Sequence, residues 1–188
     1  VNTLISTSKL KNLVYESPIQ RNAGLDVYEA PQKDHNYLIT VDVARGLGND
    51  YSAFIVFDIT NFPYKAVAKY RNNEIKPMLF PSIIADIGKA YNKAFILCEV
   101  NDIGDQVASI LNYDLEYENL LMCSQRGRAG QVVGAGFSGK RSQLGVRTTQ
   151  AVKKLGCSNL KTLLEDDKIL IIDSVSYTHL TLPTSTTV

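Results

Sequence analysis

Short apolar runs with a two-residue period alternate along this chain with stretches of helical period. Tyr37 to Val43 (YLITVDV) is β-branched and nearly all apolar, which predicts a central strand covered on both faces. Gly46 and Gly48 mark a turn, Ser52 to Ile59 (SAFIVFDI) a second strand, and Tyr64 to Tyr70 (YKAVAKY) a third that alternates like a half-exposed one. The short turns between these three predict an antiparallel meander. The period then changes. Ile83, Ile84, Ile87, Ala90 and Tyr91 recur as one helical stripe opening near Pro81. Ala94 to Val100 (AFILCEV) predicts another buried strand. Asn101 or Asp102 is placed to cap a helix striped by Ile103, Val107, Ile110 and Leu111. Leu120 to Cys123 is a short strand, and the Gly-rich, basic stretch 126–145 reads as a long loop or hairpin. Thr148 is placed to cap a helix through Leu155, Gly156 predicts a break, and Ser158 a fresh start with Leu160, Leu163 and Leu164 inward. Ile169 to Ile172 (ILII) is a last strand.

The order β-β-β-α-β-α-β-α-β predicts an α/β fold. Its mixed sheet is a three-strand antiparallel meander followed by α/β crossovers, flanked by helices. Residues 1–36, polar and punctuated by Pro18, Gly24 and Pro31, read as an arm or linker, and 37–173 as the domain. Residues 174–188 (SVSYTHLTLPTSTTV) carry no acidic residue, Lys or Arg and are dominated by Thr and Ser, so they read as a tail foreign to the domain. The chain starts at Val1 rather than Met, as a piece of a longer protein would.

With 188 residues, 45% hydrophobic, 21% charged and a net charge of +1, the chain has the makeup of one ordinary globular domain. No apolar run approaches the ~18 residues of a membrane span, so no membrane partner is expected. The start VNTLISTSKLKN lacks the layout of a secretory signal. Cys98, Cys123 and Cys157 are odd in number and form no CxxC pair, which reads as reduced core thiols in a cytosolic protein. With His35 and His179 as the only histidines, a His–Cys zinc site or a Ser-His-Asp triad has almost no material. Chemistry must come from carboxylates, hydroxyls and basic groups.

Charge is unevenly distributed. Glu99, Asp102, Asp105, Asp114, Glu116 and Glu118 follow one another with no Lys or Arg between. From Asn119 to Leu164 there is no Asp or Glu, only Arg126, Arg128, Lys140, Arg141, Arg147, Lys153, Lys154 and Lys161. Such a stretch suits a polyanion such as nucleic acid. The plainer reading is a solvated surface neutralised by carboxylates from elsewhere in the fold.

Asp42 lies in an apolar strand and Glu99 at the end of another. An ionised carboxylate in such a place costs several kcal/mol unless a cation or donor meets it. Two carboxylates on neighbouring strands suit Mg²⁺ or Mn²⁺, whose ligands are oxygens. The plainer reading is that each acid pairs with a core Arg or caps a turn.

At these residues a family appears. PIQRNAGLDVYEAPQKDHNYLITVDVARGLGNDYSAF resembles the linker and nuclease entry of large terminase subunits, the DNA-packaging motors of T-even-type tailed phages. The resemblance continues through CEVNDIGDQVASILNYDLEYENLL and TTQAVKKLGCSNLKTLLEDDKILII, covering roughly residues 1–173 in family order. It implies an RNase H-like, two-metal endonuclease that cuts concatemeric double-stranded DNA. It maps the first catalytic aspartate onto Asp42 and the glutamate onto Glu99, both as Mg²⁺ or Mn²⁺ ligands, and gives Asp50 an accessory role. It also implies a portal protein and small terminase subunit as partners. The expected place of action is the host cytoplasm, transiently on the procapsid. The family's ATPase domain, with its ATP, would precede residue 1. A third catalytic aspartate, in a His-Asp-Asp setting beyond ILII, has no counterpart before the Thr/Ser tail, and Asp173 does not match it. Little or no nuclease activity is therefore expected of this polypeptide.

Gly134 to Lys140 (GAGFSGK) nearly satisfies a phosphate-loop pattern, but Arg141 stands where Ser or Thr is needed and no helix follows. A basic DNA-contacting hairpin using Lys140, Arg141 and Arg147, with Arg126, Arg128, Lys153 and Lys154 as further phosphate contacts, is the functional reading. Three rivals stay open: a non-catalytic DNA- or portal-docking module, an RNase H-fold resolvase or transposase-like nuclease, and an actin-like ATPase.

Overall fold

The computed structural model describes residues 16–125, 130–135 and 142–172. The expected meander is present as β3 (Tyr37–Asp42), β4 (Ser52–Asp58) and β5 (Tyr64–Asn72), antiparallel throughout. Residues that read as an arm contribute β1 (Gln20–Asn22) and β2 (Leu25–Val27), a hairpin that pairs with the outer side of β5. Helix α1 (Phe80–Ala90) then crosses over to β6 (Phe95–Cys98), which runs parallel to β3. The strand order is β1-β2-β5-β4-β3-β6, with β10 (Ile169–Leu170) parallel to β5. A second sheet, β8-β7-β9, consists of β7 (Leu121–Ser124), β8 (Val132–Ala135) and β9 (Ser142–Leu144). This is the mixed α/β architecture expected.

Alternation sets the layers. Tyr37, Ile39 and Val41 on β3, Phe54 and Val56 on β4, and Ile96 and Cys98 on β6 bury one face of the sheet. They meet Phe80 and Ile84 of α1, and Val107 and Leu111 of the segment that follows β6. Phe54 stacks on Tyr70 at 5.2 Å and on Phe80 at 6.1 Å between ring centroids. Each such fully buried side chain stabilises the fold by about 1.5–3 kcal/mol. The other face, with Leu38, Thr40 and Ile55, is only half-buried, so β3 is not covered equally on both sides.

Other departures have local causes. Along α1 the buried stripe is Phe80, Pro81, Ile84, Ala85 and Gly88, while Ala90 faces out. Helix α2 (Gly104–Ser109), which widens into a π turn over Ile110–Asp114, has no side-chain cap, because Asn101 and Asp102 bond elsewhere. Helix α3 (Gln150–Glu165) is continuous. Its cap is Thr149, accepting from the Val152 N–H at 3.3 Å, rather than Thr148. Gly156 does not break it, since one interior glycine costs a helix only about 1 kcal/mol. Cys98 and Cys123 are buried free thiols, whereas Cys157 is half-buried on α3 and not a core residue. Burial pushes the Cys98 thiol up to about 12. No helix among the described residues is long and apolar enough to cross a membrane.

Candidate functional site

Asp42 is the last residue of β3, and the ladder to β6 brings Glu99 beside it. Val41 pairs with Cys98, and the Glu99 N–H donates to the Val41 carbonyl at 2.9 Å, so Asp42 and Glu99 occupy the next rung. Neighbouring strands lie about 4.8 Å apart, which puts both carboxylates on the same face within reach of one cation. They stand at the end of the half-buried face, not within the apolar core: Asp42 is exposed and Glu99 half-buried. Although the residue reaches solvent, desolvation by the surrounding chain pushes the Asp42 carboxyl above its ordinary range, the charge of Glu99 adds to the rise, and Asp50 adds a smaller part. A pair of like charges held this close is stabilised by a cation.

The chain leaving Asp42 is fixed in turn. Ser52, buried, accepts from the Ala44 N–H at 3.0 Å and donates to its carbonyl at 3.2 Å. Gly46 has φ +68°, and a Cβ there would come within 2.3 Å of the Ile75 carbonyl oxygen, so the turn packs directly on backbone. These contacts shape a cleft of about 650 Å³ beside Asp42, lined by Asp42, Asp50 and Asp102 with Arg45, Lys69 and Arg71. Arg45 and Asp102 form a forked ion pair, Nε to Oδ2 at 2.8 Å and Nη2 to Oδ1 at 2.7 Å.

Glu99 has its own support. Asn101 donates from Nδ2 to Glu99 Oε1 at 3.0 Å and to the Thr148 carbonyl at 3.1 Å, while its Oδ1 accepts from the Thr148 N–H at 3.1 Å. Val146 pairs with β6 on the side away from β3, exchanging backbone bonds with Cys98 and Val100. The segment that enters α3 is thereby anchored against Glu99.

The residues singled out from sequence fare differently. Asp42 and Glu99 come together on neighbouring strands, and Asp50 lines the same cleft as Asp42. Yet no group of three or more His, Cys, Asp or Glu among the described residues is arranged to hold a metal ion. Arg147, Lys153 and Lys154 are exposed on and before the first turns of α3, next to the anchored segment. Lys161 faces Glu165 at 4.0 Å. Arg126, Arg128, Lys140, Arg141 and Asp173 lie outside the described residues, as does most of the phosphate-loop-like run, whose Gly134 and Ala135 belong to strand β8. Sequence reasoning missed Asn101, Tyr51 and Arg71 as site residues. Lys69 and Arg71 lie two apart on β5, a spacing that puts both on the cleft face.

The terminase RNaseH-like domain family matches residues 39–182. The crystal structure of the large terminase nuclease from thermophilic phage G20c with bound magnesium is similar, with a TM-score of 0.70 at 21% identity over 96% of this chain and 80% of that one. The zinc-bound G20c nuclease gives 0.65 at 20% identity over 92% and 84%. The large terminase nuclease domain of Thermus phage P74-26 gives 0.66 at 21% identity over 96% and 77%. At such identity these likenesses carry the fold, and that fold is RNase H-like. The family match spans most of the chain, and on it the chain belongs to the terminase RNaseH-like domain family.

Proposed function

We propose that this chain is the nuclease domain of a phage DNA-packaging motor, hydrolysing phosphodiesters of double-stranded DNA with Mg²⁺ or Mn²⁺. The observation that carries the reading is the adjacent, like-facing pair Asp42 and Glu99, with Asp42 lining a cleft. The solved G20c structures carry magnesium in one case and cobalt or zinc in others, which supports a divalent cation here. Asp42 and Glu99 would hold it. Bound there, such a cation supplies charge neutralisation and Lewis-acid activation for phosphoryl transfer. Asn101 orients the Glu99 carboxylate, and Asp50 adds negative potential from across the cleft. Arg147, Lys153 and Lys154 would contact backbone phosphates, so duplex binding should be nearly sequence-independent and steeply salt-dependent. With only two carboxylates brought together among the described residues, cation affinity and cleavage by this polypeptide are weak until a third ligand is supplied. The T-even-type lineage rests on the sequence runs around Asp42 and Glu99. A portal protein and a small terminase subunit are the partners that this membership implies.

Mn²⁺ binding followed by electron paramagnetic resonance, together with duplex binding, tests the reading. Asp42→Asn and Glu99→Gln should each abolish Mn²⁺ binding and any residual cleavage while duplex binding persists. Wild-type Mn²⁺ affinity in both variants would overturn the metal assignment. A wild-type chain that ignores duplex DNA would overturn the nuclease reading itself.

A further inference from the structure

The strand registers set four residues in one row, three of which, Asp42, Ala53 and Arg71, line the cleft. Glu99 on the extension of β6, Asp42 on β3, Ala53 on β4 and Arg71 on β5 are successive neighbours, on the face opposite Phe54 and Phe80. Two strand spacings, about 10 Å, separate the backbone at Asp42 from that at Arg71. Ala53 contributes only a methyl between them. The row is thus a trough with two carboxylates on one bank and a guanidinium on the other.

The cations of the cleft differ in what they already hold. Arg45 commits its fork to Asp102. Lys69 faces Asp26 Oδ2 at 3.6 Å. Arg71 has no carboxylate partner among the described residues. Its guanidinium carbon lies 3.7 Å from the ring centroid of Tyr51, itself 40% exposed. Stacking satisfies the face of the guanidinium and narrows its rotamers. Stacking engages the face and not the edge, and it is the in-plane N–H edge that binds phosphate in a forked geometry.

We infer that Arg71, held on the Tyr51 ring, forms a phosphate subsite that takes a DNA backbone phosphate flanking the phosphodiester addressed by Asp42 and Glu99. The inference rests on the proposed DNA-cleaving role and deepens it. Arg71 is a positioning residue: it draws the polyanion over Ala53 toward a carboxylate pair that would otherwise repel it. Part of duplex binding is therefore independent of divalent cation.

Fluorescence anisotropy of the full chain with a short labelled duplex, over a salt series without divalent cation, reads this out. Arg71→Ala should weaken binding roughly three- to ten-fold and lower the salt-dependence slope by about one phosphate contact. Arg71→Lys should recover the slope and only part of the affinity, because the charge returns without the fork. Tyr51→Phe, which keeps the ring face, should bind as wild type does. If Arg71→Ala matches the wild type in affinity and slope, the subsite is overturned while the DNA reading stands. If the wild type does not bind the duplex, both fall.

Discussion

Asn101 holds Glu99 in place: its Nδ2 donates to Glu99 Oε1 at 3.0 Å while the same side chain exchanges two bonds with the backbone of Thr148. One amide therefore links the carboxylate to the start of α3. Groups that orient a metal-ligating carboxylate commonly set affinity and activity by about 10- to 100-fold. Asn101→Ala is expected to weaken Mn²⁺ binding within that range, and Asn101→Asp to alter it further by placing a third negative charge against Glu99. A titration of free Mn²⁺ by electron paramagnetic resonance checks both. Unchanged affinity in Asn101→Ala would mean that Glu99 needs no such support.

What was legible in the sequence follows from what is local. The strands around Asp42 and Glu99 are apolar, so their existence and the place of Glu99 at a strand end could be read directly, whereas Asp42 read as lying inside a strand that in fact ends on it. The adjacency of the two acids could not be read, since it depends on the parallel register of β3 and β6. Asn101 read as a helix cap because sequence spacing shows neighbours, whereas its second partner, Thr148, is 47 residues away. Arg71 fell just past the alternation of YKAVAKY, and a register shift between Val56 and Phe57 separates its row from the first half of the strand pair. The β1–β2 hairpin hid behind Pro18 and Gly24, residues that punctuate loops and tight hairpins alike.

Asp42 gives a dependence of stability on pH. Burial first, and then the charge of Glu99, raise its carboxyl in the folded chain above the unfolded value. The folded chain then takes up this proton before the unfolded chain does. The stability associated with it is present at low pH and lost as pH rises through the folded value. Asp42→Asn removes the loss, so without divalent cation it should melt above the wild type at neutral pH. The difference should close as pH falls into the carboxylate range. Adding Mg²⁺ should raise the melting temperature of the wild type only, because binding stabilises the form that binds. Thermal melts at several pH values decide this, and a variant that melts lower at neutral pH would refute it.

Asp58 has the opposite sign. Burial pushes its carboxyl up, but bonds from Thr60 and from His35 Nδ1, 2.5 Å from Oδ2, outweigh it and hold the carboxyl below its ordinary range. A depressed carboxylate contributes stability that is present above the unfolded value and lost as pH falls through the folded one. His35→Ala should therefore cost about 1 kcal/mol at neutral pH. The gap to the wild type should narrow as pH falls through the carboxylate range. Urea unfolding at neutral and acid pH measures it, and a gap that widens on acidification would show that the pair is not what matters.

Gly104 tests whether the backbone of Glu99 is as tightly seated as its side chain. At the first residue of α2, a Cβ would lie 2.0 Å from the Glu99 carbonyl oxygen and 3.0 Å from its carbon. Both atoms are backbone, and the Glu99 N–H is already bonded to Val41, so neither can swing aside. Gly104→Ala must shift the rung that carries Asp42 and Glu99, at a cost of about 1–3 kcal/mol. Gly156, inside α3, has nothing within 4 Å of its Cβ position beyond its chain neighbours and its own helix backbone, and Ala there gains helix propensity. Gly156→Ala should stabilise the chain by roughly 0.5–1 kcal/mol. The two substitutions are chemically identical, so opposite shifts in melting temperature, with Mn²⁺ affinity falling only in Gly104→Ala, would locate the effect at the Glu99 backbone. Shifts of the same sign would break the link between α2 and the site.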